Sequence, residues 1–95
     1  MIRLDFEWDD AKAAANFRKH GVTFEQAAYA FRDLFAVEWI DASAVYGEER
    51  VILLGMSGGQ ILSVVYTERG ERLRIISARR ATKHEKDNYY RQNRT

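Results

Sequence analysis

The sequence predicts an α+β domain whose helices are segregated from a mostly antiparallel sheet, and three features carry that reading. An alternating N-terminal segment leads into two helical patterns split by Gly21, closely spaced strands with glycine turns fill residues 50–79, and a capped basic helix closes the chain. Residues 2–8 place Ile2, Leu4, Phe6 and Trp8 on one side, the period-2 pattern of a half-buried strand. Asp9 then supplies an N-cap and Asp10 a negative charge in the first turn of a helix running to about His20. Gly21 ends that helix because it alone enters the left-handed C′ conformation without strain. Thr23-Phe24-Glu25-Gln26 is a capping-box pattern opening a second helix, with Phe24, Ala27, Ala28, Phe31 and Phe35 along one face. The two helices form a hairpin expected to cover one face of the sheet.

Beyond the hairpin the pattern changes period. Residues 36–41 read as a short strand, 42–49 as a loop, and Arg50–Met56 as a buried strand through Val51, Ile52, Leu53 and Leu54. Turns at Ser57-Gly58-Gly59-Gln60 and Glu68-Arg69-Gly70-Glu71 separate the strands Ile61–Thr67 and Arg72–Arg79, giving an antiparallel meander. Thr82-Lys83-His84-Glu85 repeats the capping-box pattern and opens a last helix, expected to pack through Ala81, Tyr89 and Tyr90. Trp8, Trp39 and the phenylalanines are expected in the core.

The chain's 95 residues supply one hydrophobic core and so one domain, residues 1–95. The absence of cysteine excludes disulfides, thiolate metal sites and a cysteine nucleophile. Two histidines far apart leave no metal-ligand spacing, so no metal or other cofactor is expected. The N-terminus has no apolar signal core and no run is long enough to span a membrane, which together with the missing cysteines fits a cytoplasmic protein. The net charge of +1 conceals two opposed segments. Residues 1–68 carry 6 basic and 11 acidic side chains, and residues 69–95 carry 9 basic and 3 acidic ones. A basic segment beside an acidic one points to an anionic partner, and nucleic acid is the first candidate.

Strict alternation along Arg72–Arg79 puts Leu73, Ile75, Ser77 and Arg79 on one face and Arg72, Arg74, Ile76 and Ala78 on the other. Arg79 at the strand exit either pairs with an acid or reaches a ligand, and Arg80, Lys83 and His84 follow at a helix N-terminus that favours anions. RNA cleavage without metal needs a base for the 2′-OH, an acid for the leaving 5′-oxygen, and positive charge for the phosphorane. Glu68 is the candidate base, His20 or His84 the candidate acid, and Arg79 and Arg80 the stabilising cations. Lys19, Arg69, Arg72, Arg74 and Lys83 are candidate phosphate contacts, and Tyr46 and Tyr66 candidate base-stacking rings. Each has a structural alternative, His20 as a cation at a helix C-terminus and Glu68 as an ion-pair partner of Arg69 or Arg72.

Two separated blocks then resemble the BrnT toxin family. The first is Phe6-Glu7-Trp8-Asp9 with Lys12, Asn16, Lys19-His20-Gly21-Val22 and Phe24. The second is Val64-Val65-Tyr66-Thr67-Glu68-Arg69-Gly70 with Arg74-Ile75-Ile76-Ser77-Ala78-Arg79 and Ala81, and Gly47-Glu48-Glu49-Arg50 lies between them. The resemblance implies a RelE-like ribonuclease toxin of a type II toxin-antitoxin system, which cuts RNA and arrests translation and growth. It also implies a cognate DNA-binding antitoxin of BrnA-like type, with operator DNA reached only through the toxin-antitoxin complex. Two other readings fit the residues: a non-catalytic toxin that blocks a protein such as gyrase, and a non-toxic nucleic-acid-binding module.

Overall fold

The computed structural model describes residues 5–42 and 47–93, and it has the α+β architecture that the sequence predicts. The order is β1 (Asp5–Glu7), α1 (Asp10–His20), α2 (Phe24–Ala30), β2 (Val37–Ile40), β3 (Val51–Ser57), β4 (Gln60–Arg69), β5 (Arg72–Arg80) and α3 (Lys83–Gln92). The five strands form one sheet in the order β1-β5-β4-β3-β2, antiparallel throughout except where β1 runs parallel to β5. The expectations for Ile2, Leu4 and Tyr46 lie outside the described residues.

The caps form as the sequence requires. Asp9 accepts from the Lys12 N–H and Gly21 ends α1 at φ 70°, while Thr23 with Gln26 and Thr82 with Glu85 close reciprocal capping boxes. Helices α1 and α2 lie on one sheet face, where Val22, Phe24, Ala27 and Ala30 meet Leu53, Leu62, Val64, Tyr66, Ile75 and Ala78. Gly55 of β3 permits the closest approach, since a Cβ there would stand 2.5 Å from the Ala30 carbonyl oxygen. Phe31 caps α2 and packs its ring edge-on between Phe6 and Tyr66, at 5.0 and 4.9 Å between centroids. On the opposite face α3 covers one end only, with Ala81 and Tyr89 against Leu54 and Ile61.

Three expectations change. Helix α2 stops at Ala30, so Phe35 falls beyond it and is 62% exposed; Phe17 on α1 is exposed as well. Trp39 is 39% exposed, because β2 is an edge strand with one neighbour and offers its side chains only partial cover. Alternation along β5 is broken at Ile76. Val65 pairs with Ser77 and Tyr66 with Ile75, so Ile76 is an extra residue that shifts the phase of the strand. Ile75 and Ala78 therefore share the helix-covered core, and Leu73 and Ile75 are separated from Ser77 and Arg79.

Among the described residues the edge strands cover only part of the strands they flank. Strand β1 reaches β5 only from Arg72 to Arg74, and β2 reaches β3 only from Val51 to Leu54. Side chains close the remaining edges. The Asn16 carboxamide nitrogen donates to the Ala78 and Val22 carbonyl oxygens at 2.8 and 3.0 Å, and its oxygen accepts from the Ala78 N–H at 3.1 Å. On the other side Asp33 accepts from the Met56 N–H at 2.8 Å. Buried backbone groups left unpaired cost about 1–3 kcal/mol each, so these two side chains stand in for missing strand. Asn16→Leu strands three such groups and should lower the unfolding free energy by about 3 kcal/mol or more. Asn16→Asp, which keeps the acceptor, should fall between that variant and the wild type. Urea midpoints at unchanged slope are the measurement, and a midpoint within error for the leucine variant would contradict the role.

Candidate nucleic-acid interface

Strand β5 leaves the sheet at Arg80, and only Ala81 and Thr82 separate it from α3. That tight corner brings Glu85 back onto Arg79. Glu85 Oε1 and Oε2 accept from the two terminal nitrogens of Arg79 at 2.7 and 2.9 Å, and Oε1 also accepts from the Thr82 N–H at 2.8 Å. One carboxylate therefore caps the helix and holds the guanidinium in a two-pronged grip. Arg79 meets the acid partner that its position allowed, from the next helix rather than another strand.

Arg80 points elsewhere. Its Nε donates to Gln60 Oε1 at 3.2 Å, and the side chain lines a cavity of about 310 Å³ together with Met56, Gly59, Gln60, Ile61, Lys86 and Tyr90. The spacing on α3 explains who faces what. Glu85 and Tyr89, four apart, turn toward the body of the domain, while Lys86 and Tyr90, one residue on, form the stripe facing the cavity. Tyr90 is 56% exposed, and its ring stands edge-to-face on Tyr89 at 5.3 Å. Tyr89 is in turn fixed by a 2.6 Å hydrogen bond from its hydroxyl to Asp33, and burial together with that carboxylate pushes its pKa up to about 12. An aromatic ring beside two cations is a surface suited to single-stranded RNA.

The remaining candidates divide between the two ends of the β4–β5 hairpin. Glu68, Arg69 and Arg72 lie at its tip, with Glu68 opposite Leu73 and Arg69 opposite Arg72. Arg79 is opposite Ser63, five residues along β4 from Glu68, which at about 3.3 Å per residue is roughly 17 Å. Glu68 and Arg79 thus cannot act on one phosphate within one chain. The tip is also charge-compensated. Arg74 pairs with Glu7, its register partner, at 2.8 Å, and Arg69 with Glu48 at 3.4 Å, while Glu48, Glu49 and Glu68 line an acidic cavity. Tyr66 has no face to offer a base, because it is 6% exposed and its hydroxyl donates to Glu38 at 2.6 Å.

Lys19 and His20 lie in the last turn of α1. Helix α1 runs alongside β5 in the same sense, with Asp9 feeling the charge of Arg74 and Asn16 bound to Ala78. Its last turn therefore continues toward Arg79 and Arg80. Lys83 and His84 are exposed in the first turn of α3, with Lys83 paired to Asp87 at 3.3 Å. Lys86, Tyr90, Gln60 and the pairing role of Glu85 were not singled out by sequence pattern as site features. The Lys-x-x-x-Tyr spacing was a signal for the first two; nothing local marks Gln60, which arrives through the β3–β4 turn.

With this geometry in place, comparison with known families matches residues 8–85 to the ribonuclease toxin BrnT of type II toxin-antitoxin systems. The chain belongs to the BrnT family. A type II system pairs its toxin with a protein antitoxin, so membership brings that partner with it. None of the curated proteins matches the chain. The match runs from Trp8 to Glu85, so the cap that grips Arg79 is its last matched position and Lys86 and Tyr90 lie beyond it. Among the described residues no helix is long and apolar enough to cross a membrane, and no three His, Asp or Glu side chains gather into a metal site.

Two carboxylates anchor α3, and both are held below their ordinary pKa. For Glu85 the hydrogen bonds from Arg79 are the main cause, with burial opposing; for Asp33 burial opposes ionisation, but bonds from Tyr89, Met56 and Phe35 outweigh it. A lowered folded pKa stabilises above the unfolded value, and that contribution fades as pH falls through the folded value. The helix should therefore loosen before the sheet on acidification below about pH 4. Amide exchange checks this: α3 amides should lose protection while β3–β5 amides keep it, and Glu85→Gln should flatten the response. Loss of both together would contradict it.

Proposed function

We propose that the chain is an endoribonuclease that cleaves single-stranded RNA through the substrate's own 2′-OH, without a metal, and thereby arrests translation and growth. The observation that carries this reading is the groove in which Arg80, Lys86 and the braced Tyr90 ring converge beside Gln60. In the reaction the 2′-oxygen attacks phosphorus as its proton is removed, and the 5′-oxygen leaves as it gains a proton. A 2′,3′-cyclic phosphate remains. Arg80 and Lys86 offset the charge of the phosphorane, and the N-terminus of α3 adds its dipole. Arg79 acts at one remove, holding Glu85 and thus the angle at which α3 presents Lys86 and Tyr90. His20, on the α1 turn directed at this end, is the proposed proton carrier, and Lys19 and Lys83 flank the path of the RNA backbone.

The RelE-like grouping, the BrnA-like DNA-binding antitoxin and the cytoplasmic setting complete the reading. They rest on the family resemblance. An acidic antitoxin segment lying on the same basic end would exclude RNA by competition, and operator DNA would be bound only through the antitoxin.

Arg80→Ala removes a preorganised cation from an exposed position, so kcat should fall by roughly 10²–10³ while the unfolding midpoint stays put. Cleavage by the wild type should persist in EDTA and leave a cyclic phosphate. Chelator-sensitive cleavage, cutting of a 2′-deoxy substrate, or full activity in Arg80→Ala would each overturn the mechanism.

A further inference from the structure

The basic groove has a neighbour larger than itself. A cavity of about 620 Å³ opens on the other side of the β3–β4 turn, between that turn and the C-terminal half of α2. Met56 and Gln60 line both cavities, so the two adjoin at the hairpin. Only Gly58 and Gly59 stand at the crest of the turn. They adopt positive φ of 57° and 82°, which a two-residue hairpin of this kind demands, and they leave the ridge bare of side chains. A polymer seated in the Arg80 groove can therefore cross into the second cavity without meeting a side chain at the summit.

The far cavity carries a second cation-aromatic pair. Arg32 lies over the Tyr29 ring, 4.9 Å from its centroid, and Tyr29 is 57% exposed. Neither side chain is needed by the core. Asp33 also lines the cavity, but its carboxylate is engaged by Tyr89, Met56 and Phe35, and that engagement tempers its repulsion of a phosphate. Ser57, whose hydroxyl donates to the Gln26 carbonyl at 2.8 Å, and the Gln26 side chain supply neutral polar groups at the wall. The combination repeats that of the first groove: an aromatic ring, a guanidinium and a glutamine.

We infer that this cavity is a second RNA subsite, in which Tyr29 stacks on a base and Arg32 holds a phosphate of the same strand whose scissile bond lies at Arg80 and Lys86. It rests on the ribonuclease reading above. A subsite that binds but does not react contributes equally to ground and transition states, so it acts on KM and not on kcat. Its contribution also exists only for substrates long enough to span the turn.

The test compares Tyr29→Ala and Arg32→Ala with the wild type on a synthetic RNA 20-mer and on a tetranucleotide. Loss of one stacked base corresponds to roughly a tenfold rise in KM. That rise is expected for the 20-mer at unchanged kcat, with kcat/KM for the tetranucleotide unaltered. Equal losses on both substrates, or no loss on either, would overturn the subsite. Binding of an uncleavable 2′-O-methyl 20-mer is measured in parallel. If the wild type cleaves no RNA yet holds the 20-mer through Tyr29 and Arg32, the ribonuclease reading fails and the subsite stands. If it cleaves but both variants hold the 20-mer as tightly as the wild type, the subsite fails alone. Weakened antitoxin binding with unchanged RNA affinity would assign the cavity to a protein and overturn the proposal.

Discussion

The hydrogen bonds of Asn16 to the edge of β5 are the constraint on which the rest of the molecule depends. Strand β1 pairs with β5 only from Arg72 to Arg74 among the described residues, which leaves most of the edge of β5 without a partner strand. Asn16 supplies, from a helix, the donor and acceptor that a longer β1 would have offered at Ala78, and its second donor holds the Val22 carbonyl at the α1–α2 link. A single carboxamide thus sets the position of α1, the start of α2 and the line of β5. The core facing α1 and α2 is packed around that junction, with Val22, Phe24 and Ala78 all buried.

Asp33 plays the corresponding part on the opposite edge, with a different outcome. It closes β3 at Met56, as Asn16 closes β5, but its second oxygen lone pair goes to Tyr89 of α3. The helix that covers only one end of the sheet is therefore tied down at Glu85 near its start, at Tyr89, and at its C-cap, where the Asn93 side chain donates to the Phe35 carbonyl. Between these ties its outward stripe, Lys86 and Tyr90, is held at a definite angle to Arg80. The edge closure of the sheet and the geometry of the basic groove share one carboxylate.

Charge is distributed along the β4–β5 hairpin rather than spread over the domain. At the tip, basic side chains sit opposite acids from β1 and from the residues before β3, so Arg74 and Arg69 are compensated locally. At the exit, Arg79 is compensated by Glu85 while Arg80 faces a neutral glutamine. A phosphate approaching the domain meets uncompensated charge at the exit and an acidic cavity at the tip. This separation, more than the total of +1, directs an anionic polymer to one end.

Local chemistry was enough to read the caps, the turns and the order of elements. Asp9, Thr23, Thr82, Gly21 and the Gly58-Gly59 pair act within three or four residues of themselves, and their preferences survive folding. The two-block resemblance identified the family for the same reason: it is written in the order of residues. What needed the tertiary structure was everything that depends on phase or on distance across the sheet. The extra residue Ile76 shifts β5 by one position, which no alternation rule anticipates, and so moves Arg79 off the face of Leu73 and Ile75. Glu68 and Arg79 are eleven positions apart along a hairpin that folds back only at its tip, and the register leaves them at opposite ends. Tyr66 is hidden because Phe31 and Glu38 reach it from other elements. The groove itself joins a turn, a strand exit and a helix face that are distant in sequence, and only packing could bring Gln60, Arg80 and Tyr90 together.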